Sequence, residues 1–219
     1  YIEKTEEELA FDDAESVKQW YIGNATVTKV IVPEGVEKIG AYAFANLTAL
    51  EETVLPSTLE SIEYGAFFGC TSLQKVTFSG ENNLKIISQN AFQSCDIQGA
   101  LDLSSVCVIS DYAFAGNRKL KGITTGDTLL SIGRYAFADC ESLEEITLPE
   151  GITALHRCTF WGCRSLKSIT IPKSVRTLGR YIFARCTSLR EVTLCDQIVY
   201  MKYDAKRKHI IKYDTIFEL

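Results

Sequence analysis

The sequence predicts an α/β repeat solenoid, in which each repeat supplies one short β-strand and one helical or 3-10 turn. The first observation behind this prediction is a series of seven phenylalanines spaced 23, 25, 22, 23, 23 and 23 residues apart. They are Phe44, Phe67, Phe92, Phe114, Phe137, Phe160 and Phe183. Self-similarity at a nearly fixed period is the sequence signature of a repeat architecture.

The second observation is a pair of aliphatic columns that precede each phenylalanine at fixed positions. The column five residues before it contains Ile39, Ile62, Ile87, Ile109, Ile132, Leu155 and Leu178. The column three residues earlier contains Val36, Leu59, Leu84, Val106, Leu129, Ile152 and Val175. Positions that keep one character through seven repeats are expected to share one core.

The third observation is a short apolar alternation in each repeat, such as Leu143-x-x-Ile146-x-Leu148. A period of two is typical of a half-buried strand. The segment around each phenylalanine lacks this alternation and is too short for a full helix, so a helical or 3-10 turn is expected there. One strand and one turn cannot bury an apolar face alone, but stacked repeats can, because each covers its neighbours.

The two ends of the chain depart from the repeat. Residues 1–26 hold an acidic stretch followed by Trp20-Tyr21-Ile22, which we interpret as an N-terminal cap. Residues 27–198 contain a half-repeat, which supplies only a strand, and the seven full repeats. Residues 199–219 place two apolar stretches around a basic turn, which predicts a C-terminal hairpin cap.

Composition and charge exclude several classes of function. The 219 residues are 46% hydrophobic and 23% charged, with a net charge of −5. This balance offers no broad attraction to nucleic acid or to anionic membranes. No apolar run approaches the roughly 18 residues that a membrane span needs.

The residues that recur in each repeat resemble a known family. The frame Leu-x-x-Ile-x-x-x-Ala-Phe-x-x-Cys-x-Ser-Leu-x-x-Ile-x-Ile-Pro is similar to the BspA-type leucine-rich repeat, over residues 27–195. Leu47 and Asn117 replace the usual cysteine, and residues 95–103 lack the Ser-Leu step. The resemblance implies a curved solenoid with a parallel β-sheet on its concave side. It also implies a secreted or surface protein, of host-associated bacteria or of some protists, that binds host or neighbouring-cell proteins.

Five cysteines share one repeat position, three residues after the phenylalanine. They are Cys70, Cys95, Cys140, Cys163 and Cys186. On consecutive rungs they stand about 5 Å apart at Cα, a separation that a disulfide can bridge. They are therefore either a disulfide ladder or buried thiols that fill the core as small apolar groups, and the second interpretation is favoured. No Cys-x-x-Cys and no Cys/His cluster of zinc spacing occurs, so no metal site is expected.

Catalytic patterns are absent from the sequence. Its two histidines, His156 and His209, have no context that pairs them with a nucleophile. No Gly-rich phosphate loop appears, and the carboxylates at repeat positions suit a solvated face better than an acid/base pair. We therefore expect neither an enzyme nor a cofactor.

Aromatic residues in the turns form one candidate surface. Tyr42, Tyr112, Tyr135 and Tyr181 stand two residues before the phenylalanine. Their rings either form an exposed stripe or, as is favoured, cover the backbone of the neighbouring repeat. Phe68 and Trp161 follow the phenylalanine directly and lie either on the convex surface or at the edge of the core.

The concave strand surface is the predicted protein-binding site. Its candidate residues are Ile31, Glu52, Val54, Lys75, Thr77, Glu145, Thr147, Thr170, Glu191 and Thr193. Ile31 and Val54 are expected to form a small apolar patch on adjacent strands. The row of threonines is explained more simply by the β-propensity of threonine.

These features together predict a monomeric, non-catalytic protein-binding module of a secreted or cell-surface protein, with a role in adhesion or host interaction. An intracellular scaffold of the same fold is the first alternative, because free thiols suit a reducing compartment. An enzyme is the second. A signal peptide upstream of Tyr1 would favour export over the scaffold.

Overall fold

The structure, a computed structural model, describes residues 26–194 and the backbone of residues 197–199, 201–204 and 209–212. One set of strands comprises β1 (Lys29–Ile31), β3 (Glu52–Leu55), β5 (Lys75–Phe78), β7 (Gly99–Leu103), β9 (Leu120–Thr125), β11 (Glu145–Ile146), β13 (Ser168–Ile171) and β15 (Glu191–Leu194). A second set comprises β2 (Lys38–Ile39), β4 (Ser61–Ile62), β6 (Ile86–Ile87), β8 (Val108–Ile109), β10 (Ser131–Ile132), β12 (Ala154–Leu155) and β14 (Thr177–Leu178). The chain then forms β16 (Gln197–Val199), β17 (Met201–Asp204) and β18 (His209–Lys212).

The first set of strands pairs in parallel between successive repeats. It forms the sheets β1-β3-β5, β7-β9-β11 and β13-β15, to which β16 adds an antiparallel edge. The register joins equivalent positions, so that Ile31 lies opposite Val54 and Val54 lies opposite Thr77. Alternate residues such as Val30 and Ile169 are buried. The other residues point outward and form a surface that we call the strand face.

The second set of strands also pairs in parallel, as a five-stranded sheet β2-β4-β6-β8-β10 and a pair β12-β14. Its aliphatic column is buried at Ile39, Ile62 and their equivalents, as the repeat predicts. Leu178 differs, with 49% of its surface exposed. It lies in β14, the last strand of this set, and no strand of the set follows to cover it within residues 26–194.

The turns around each phenylalanine do not confirm the expected helical or 3-10 conformation. No helix occurs in residues 26–194, and these segments are hydrogen-bonded turns. The reason is a positive φ two residues before and two residues after each phenylalanine, as at Tyr42 (57°) and Asn46 (55°). Right-handed helices require negative φ throughout. Alternate amides instead donate to the next repeat, as Phe44 N–H does to the Ala66 carbonyl at 2.8 Å.

The core is a continuous column inside the two sets of strands and the turns. The phenylalanine rings stack from repeat to repeat, with centroids between 5.1 Å (Phe67 to Phe92) and 5.9 Å (Phe160 to Phe183) apart. Both aliphatic columns pack against this stack. The predicted core columns are confirmed except at Leu178, since each repeat buries its phenylalanine.

The last described elements are antiparallel. Val192 of β15 lies opposite Val199 of β16, and β17 pairs with β18 as a hairpin. The predicted N-terminal cap falls almost entirely on residues 1–25, outside the described residues. The division of the chain into an N-terminal cap, repeats and a C-terminal cap stays a prediction.

Candidate binding surfaces

The strand face carries the ten predicted binding residues, but in three separate groups. The first group lies on β1, β3 and β5 and contains Ile31, Glu52, Val54, Lys75 and Thr77. The second contains Glu145 and Thr147, at β11 and directly after it. The third contains Thr170, Glu191 and Thr193, on β13 and β15. The strands β7 and β9 separate the first group from the other two, so the structure does not gather all ten residues into one site.

An apolar patch lies at the N-terminal end of the strand face. Ile31 is 64% exposed, which is unusual for a side chain of its size. Val54 is its partner on the adjacent strand and is half-buried. Both side chains are β-branched and stiff, so they present a defined apolar surface that requires little ordering on contact.

A charged triad lies beside this patch. The Glu52 carboxylate contacts Lys29 Nζ at 3.2 Å and Lys75 Nζ at 3.0 Å. The hydrogen bonds from Lys75 and then Lys29 hold the pKa of Glu52 below its ordinary value. Two lysines against one glutamate leave a positive charge at the border of the apolar patch.

The threonines of the C-terminal half make weaker candidates. Thr170 and Thr193 lie directly opposite each other, and the Thr193 hydroxyl donates to the Glu191 carboxylate at 3.5 Å. Thr147 uses its carbonyl to accept a hydrogen bond from the Thr125 hydroxyl at 2.6 Å. These threonines form a polar surface with no apolar anchor.

Metal-binding clusters and membrane-spanning helices were both sought among the described residues. No group of three or more His, Cys, Asp and Glu side chains comes together there as a metal site. No helix suited to a membrane span is found among them. His156 is exposed on its turn, and the side chain of His209 lies outside the described residues.

The cysteine column has a structural role that the sequence analysis missed. The column members each donate from Sγ to the carbonyl of the phenylalanine one repeat earlier, at 3.0–3.3 Å. All seven described cysteines are free thiols, so the described part of the chain contains no disulfide ladder. Burial raises the pKa of the Cys186 thiol to about 12. The thiols of the column therefore act as hydrogen-bond donors that join each turn to the turn of the preceding repeat.

The tyrosines of the turns divide between the two predicted roles. The Tyr42 ring lies directly over Gly65 and covers the backbone of that repeat. Tyr112 and Tyr135 stack on each other, with centroids 4.8 Å apart. Tyr181 is 61% exposed. Phe68 and Trp161 are half-buried, at the edge of the core.

A groove of about 840 Å³ opens on this turn face, between the stacked tyrosines and Tyr181. The sequence analysis did not find it, although it singled out three of the tyrosines that line it. A second signal was present in the sequence: Arg134, Arg157 and Arg180 occupy one repeat position in three successive repeats.

The repeated unit of strand, turn, phenylalanine and buried cysteine identifies the family. The model of the BspA-type leucine-rich repeat region matches residues 15–107 and 107–216 in six copies. This chain belongs to the BspA-type leucine-rich repeat family. Its membership shows a repeat module of a kind found in bacterial surface proteins and indicates no catalytic family.

Two solved leucine-rich repeat structures resemble the chain closely. A leucine-rich cell surface protein of Faecalibacterium prausnitzii is 28% identical, with a TM-score of 0.71 over 83% of this chain and 52% of that chain. This BspA-type chain thus spans about half the length of that relative. A leucine-rich repeat protein of T. pallidum is 27% identical, with a TM-score of 0.67 over 75% of this chain and 78% of that chain. No functionally curated protein matches the sequence.

The departures of this chain from the BspA-type frame are accommodated locally. Leu47 fills the cysteine position of its repeat as a buried apolar group. Asn117 keeps the hydrogen bond of the missing cysteine, since its Nδ2 donates to the Phe92 carbonyl at 2.7 Å. Its Oδ1 also accepts from the Ile97 amide at 3.2 Å, in the repeat that lacks the Ser-Leu step. Asn117 thus replaces the hydrogen bond of the missing cysteine and also contacts the repeat that lacks the Ser-Leu step.

Proposed function

We propose that this chain is a non-catalytic module of a secreted or cell-surface protein, which binds a partner protein through the N-terminal end of its strand face. The observation that carries the proposal is the exposed Ile31 beside Val54, with the charged triad at its border. Exposed apolar groups rimmed by polar residues mark contact sites on soluble proteins. The role of such contact is adhesion or host interaction, by a monomeric module.

The free energy available from Ile31 and Val54 is sufficient for a modest but specific contact with a partner protein. Burial of an aliphatic side chain against a partner contributes about 1.5–3 kcal/mol. Two such side chains therefore supply enough to change a dissociation constant by roughly 100-fold or more. The lysines on either side of Glu52 add orientation and association rate, since charges at the rim of an interface steer the encounter.

Two observations support the proposed location. The F. prausnitzii relative is a cell surface protein by its own name. The described thiols are compatible with an oxidising compartment, because six of the seven are buried and so are shielded from oxidants. Free cysteines therefore lend the intracellular scaffold no advantage over the surface protein.

The proposal is tested by capture and then by measured affinity. The purified chain is immobilised and exposed to serum and to solubilised extracellular matrix, and retained proteins are identified by mass spectrometry. The dissociation constant of each retained protein is then measured with the wild-type chain. A retained protein supports the proposal only if its binding depends on the apolar patch of Ile31 and Val54.

The decisive variant is the double substitution Ile31→Asp, Val54→Asp. We expect an unchanged circular dichroism spectrum, because both side chains point away from the core, and a loss of affinity of about 100-fold. The matched control is Thr170→Asp, Thr193→Asp, which places the same charges on another pair of adjacent strands and should bind normally. Equal affinities of the two double variants would contradict the proposal.

A further inference from the structure

The groove on the turn face lies away from the proposed strand-face contact and carries its own chemistry. Its volume of about 840 Å³ falls within the usual range of ligand sites. Along it runs the repeat position two residues before the phenylalanine. In successive repeats that position holds Tyr112, Tyr135, Cys158 and Tyr181.

The aromatic column in this groove is interrupted at Cys158. Tyr112 and Tyr135 stack nearly parallel, with an interplanar angle of 4°. The next repeat has only the short side chain of Cys158, which is 3% exposed, and the column resumes at the exposed Tyr181. Tyr135 and Tyr181 are two rungs apart, which is about 10 Å at the spacing of parallel strands. A planar group midway between them would lie about 5 Å from each, within the range of aromatic stacking.

Exposed arginines stand beside this gap. Arg157 lines the groove, and Arg134 and Arg180 occupy the equivalent position in the repeats on either side; all three are exposed. None of them takes part in an ion pair among the described residues. The Arg157 guanidinium lies over the Tyr135 ring, 5.9 Å from its centre, so an inserted aromatic ring would displace it from that face. Arginines in this state are available for charge-assisted hydrogen bonds to carboxylates.

The carboxylates that line the groove do not cancel this charge. Asp96 is already paired with Lys119 at 2.7 Å. Asp139 is half-buried, and its burial, with Glu141 nearby, raises its pKa above the ordinary value although Arg118, Arg164 and Arg185 oppose that rise. The positive charge beside the aromatic gap therefore comes from the three exposed arginines of the column, since Arg118 is itself paired with Glu141 at 3.7 Å.

We infer that this groove binds a short, extended acidic peptide of a partner protein, with one aromatic side chain inserted into the gap at Cys158. The ring takes the place of the tyrosine that the repeat lacks there, and the flanking carboxylates contact the arginine column. Residues of six successive repeats line the groove, which gives it a length of about 24 Å and matches about seven residues of extended peptide. Neither an apolar helix nor a basic peptide would match this combination of charge and shape.

The test uses three fluorescein-labelled pentapeptides and fluorescence anisotropy. The probe is Glu-Glu-Tyr-Glu-Glu, with Glu-Glu-Ala-Glu-Glu as the control without a ring and Lys-Lys-Tyr-Lys-Lys as the control of opposite charge. We expect the first to bind at least about tenfold more tightly than either control. Equal binding of the alanine peptide, or no binding of the probe up to millimolar concentration, would overturn the inference.

The matched protein variant is Cys158→Tyr, which fills the gap with the residue found at the same position in four other repeats. We expect it to fold normally and to bind the probe about tenfold less tightly, since the inserted ring is displaced. Arg157→Ala and Tyr181→Ala should also weaken binding of the probe. Each removes a side chain that contacts the peptide and adds no new ring to the groove. Probe affinities equal to wild type in all three variants would refute the proposed site.

The two proposed surfaces can fail independently. The Ile31→Asp, Val54→Asp variant should bind the acidic peptide with wild-type affinity, and Cys158→Tyr should retain any partner of the strand face. If the peptide instead depends on Ile31 and Val54, the groove is not its site.

Discussion

Among the described residues, Thr53 is the one whose side chain conflicts with its place in the core. It takes the inward strand position that Val30 and Ile169 occupy in other repeats and is fully buried. Its Oγ1 is buried without a hydrogen-bond partner. A buried hydroxyl without a partner costs about 1–3 kcal/mol.

Thr53→Val is therefore expected to stabilise the protein. Valine has nearly the shape of threonine and fits a position that is apolar elsewhere, so the free energy of unfolding should rise by about 1 kcal/mol. Urea unfolding measures the change. Thr170→Val, at an exposed strand position, serves as the control and should alter stability by less than about 0.5 kcal/mol. A loss of stability in Thr53→Val would show that the hydroxyl has a partner.

The buried thiols also make stability dependent on alkaline pH. Burial raises the folded-state pKa of Cys186 to about 12, from an ordinary value of 9.0. Burial likewise raises the pKa of Cys95, Cys140 and Cys163. A thiol with a raised folded-state pKa contributes its full stability below its unfolded pKa and loses it as the pH rises toward the folded value.

We accordingly expect the free energy of unfolding to fall between about pH 9 and pH 12, by up to about 1.4 kcal/mol per pH unit for each such thiol. Urea unfolding across this range measures the slope. Cys140→Asn, which copies the residue at 117, removes one titrating group but keeps a donor, and should make the slope shallower. An identical slope in that variant would contradict the role assigned to the column.

At the scale of single elements, the turns show a regular alternation. The position two residues after the phenylalanine has positive φ in every repeat. It reads Asn46, Gly69, Ser94, Gly116, Asp139, Gly162 and Arg185 along the chain. A Cβ on Gly69 would contact the Asn46 amide, and one on Gly162 would contact the Asp139 carboxylate. Side chains of alternate repeats thus lie over glycines of the next.

Gly162→Ala should consequently destabilise the protein by about 1–3 kcal/mol, through positive φ and contact with Asp139. Thermal and urea unfolding measure the loss. Gly122→Ala is the matched control, because its φ is not positive and the nearest atom to the new Cβ is 3.7 Å away, in Ala100. If the two variants are equally stable, the turns do not require the alternation.

The sequence predicts the elements that are fixed by burial within each repeat, but not those that depend on contacts between repeats. The phenylalanine and aliphatic columns were predictable, because burial keeps the same residue type in every repeat. The conformation of the turns was not, since the positive φ falls on tyrosine, cysteine and arginine as well as on glycine and asparagine. The exposure of Leu178 depends on where the sheet ends, and the groove depends on how side chains of adjacent turns align. The sequence of a single repeat therefore predicts neither the exposure of Leu178 nor the groove.

At the scale of the whole molecule, the two halves of the described repeats differ in charge. Residues 26–110 contain four Lys and Arg against nine Asp and Glu, whereas residues 111–194 contain twelve against eight. Most residues of the proposed groove belong to the basic half, and the apolar patch lies in the acidic half. Binding of an acidic peptide should therefore weaken steeply with added salt, while the affinity at Ile31 and Val54, which rests mainly on apolar burial, should change less.

The central claim is that a partner contacts the N-terminal end of the strand face, and site-specific photo-crosslinking tests it most directly. A benzophenone amino acid replaces Ile31 in one preparation and Thr170 in another, and each is irradiated with the captured partner. Both positions are exposed and lie on the same face of equivalent strands, so the two probes differ only in their place along the solenoid. We predict a covalent adduct from position 31 and none from position 170. Adducts from position 170 alone, or equal yields from both, would contradict the assigned surface.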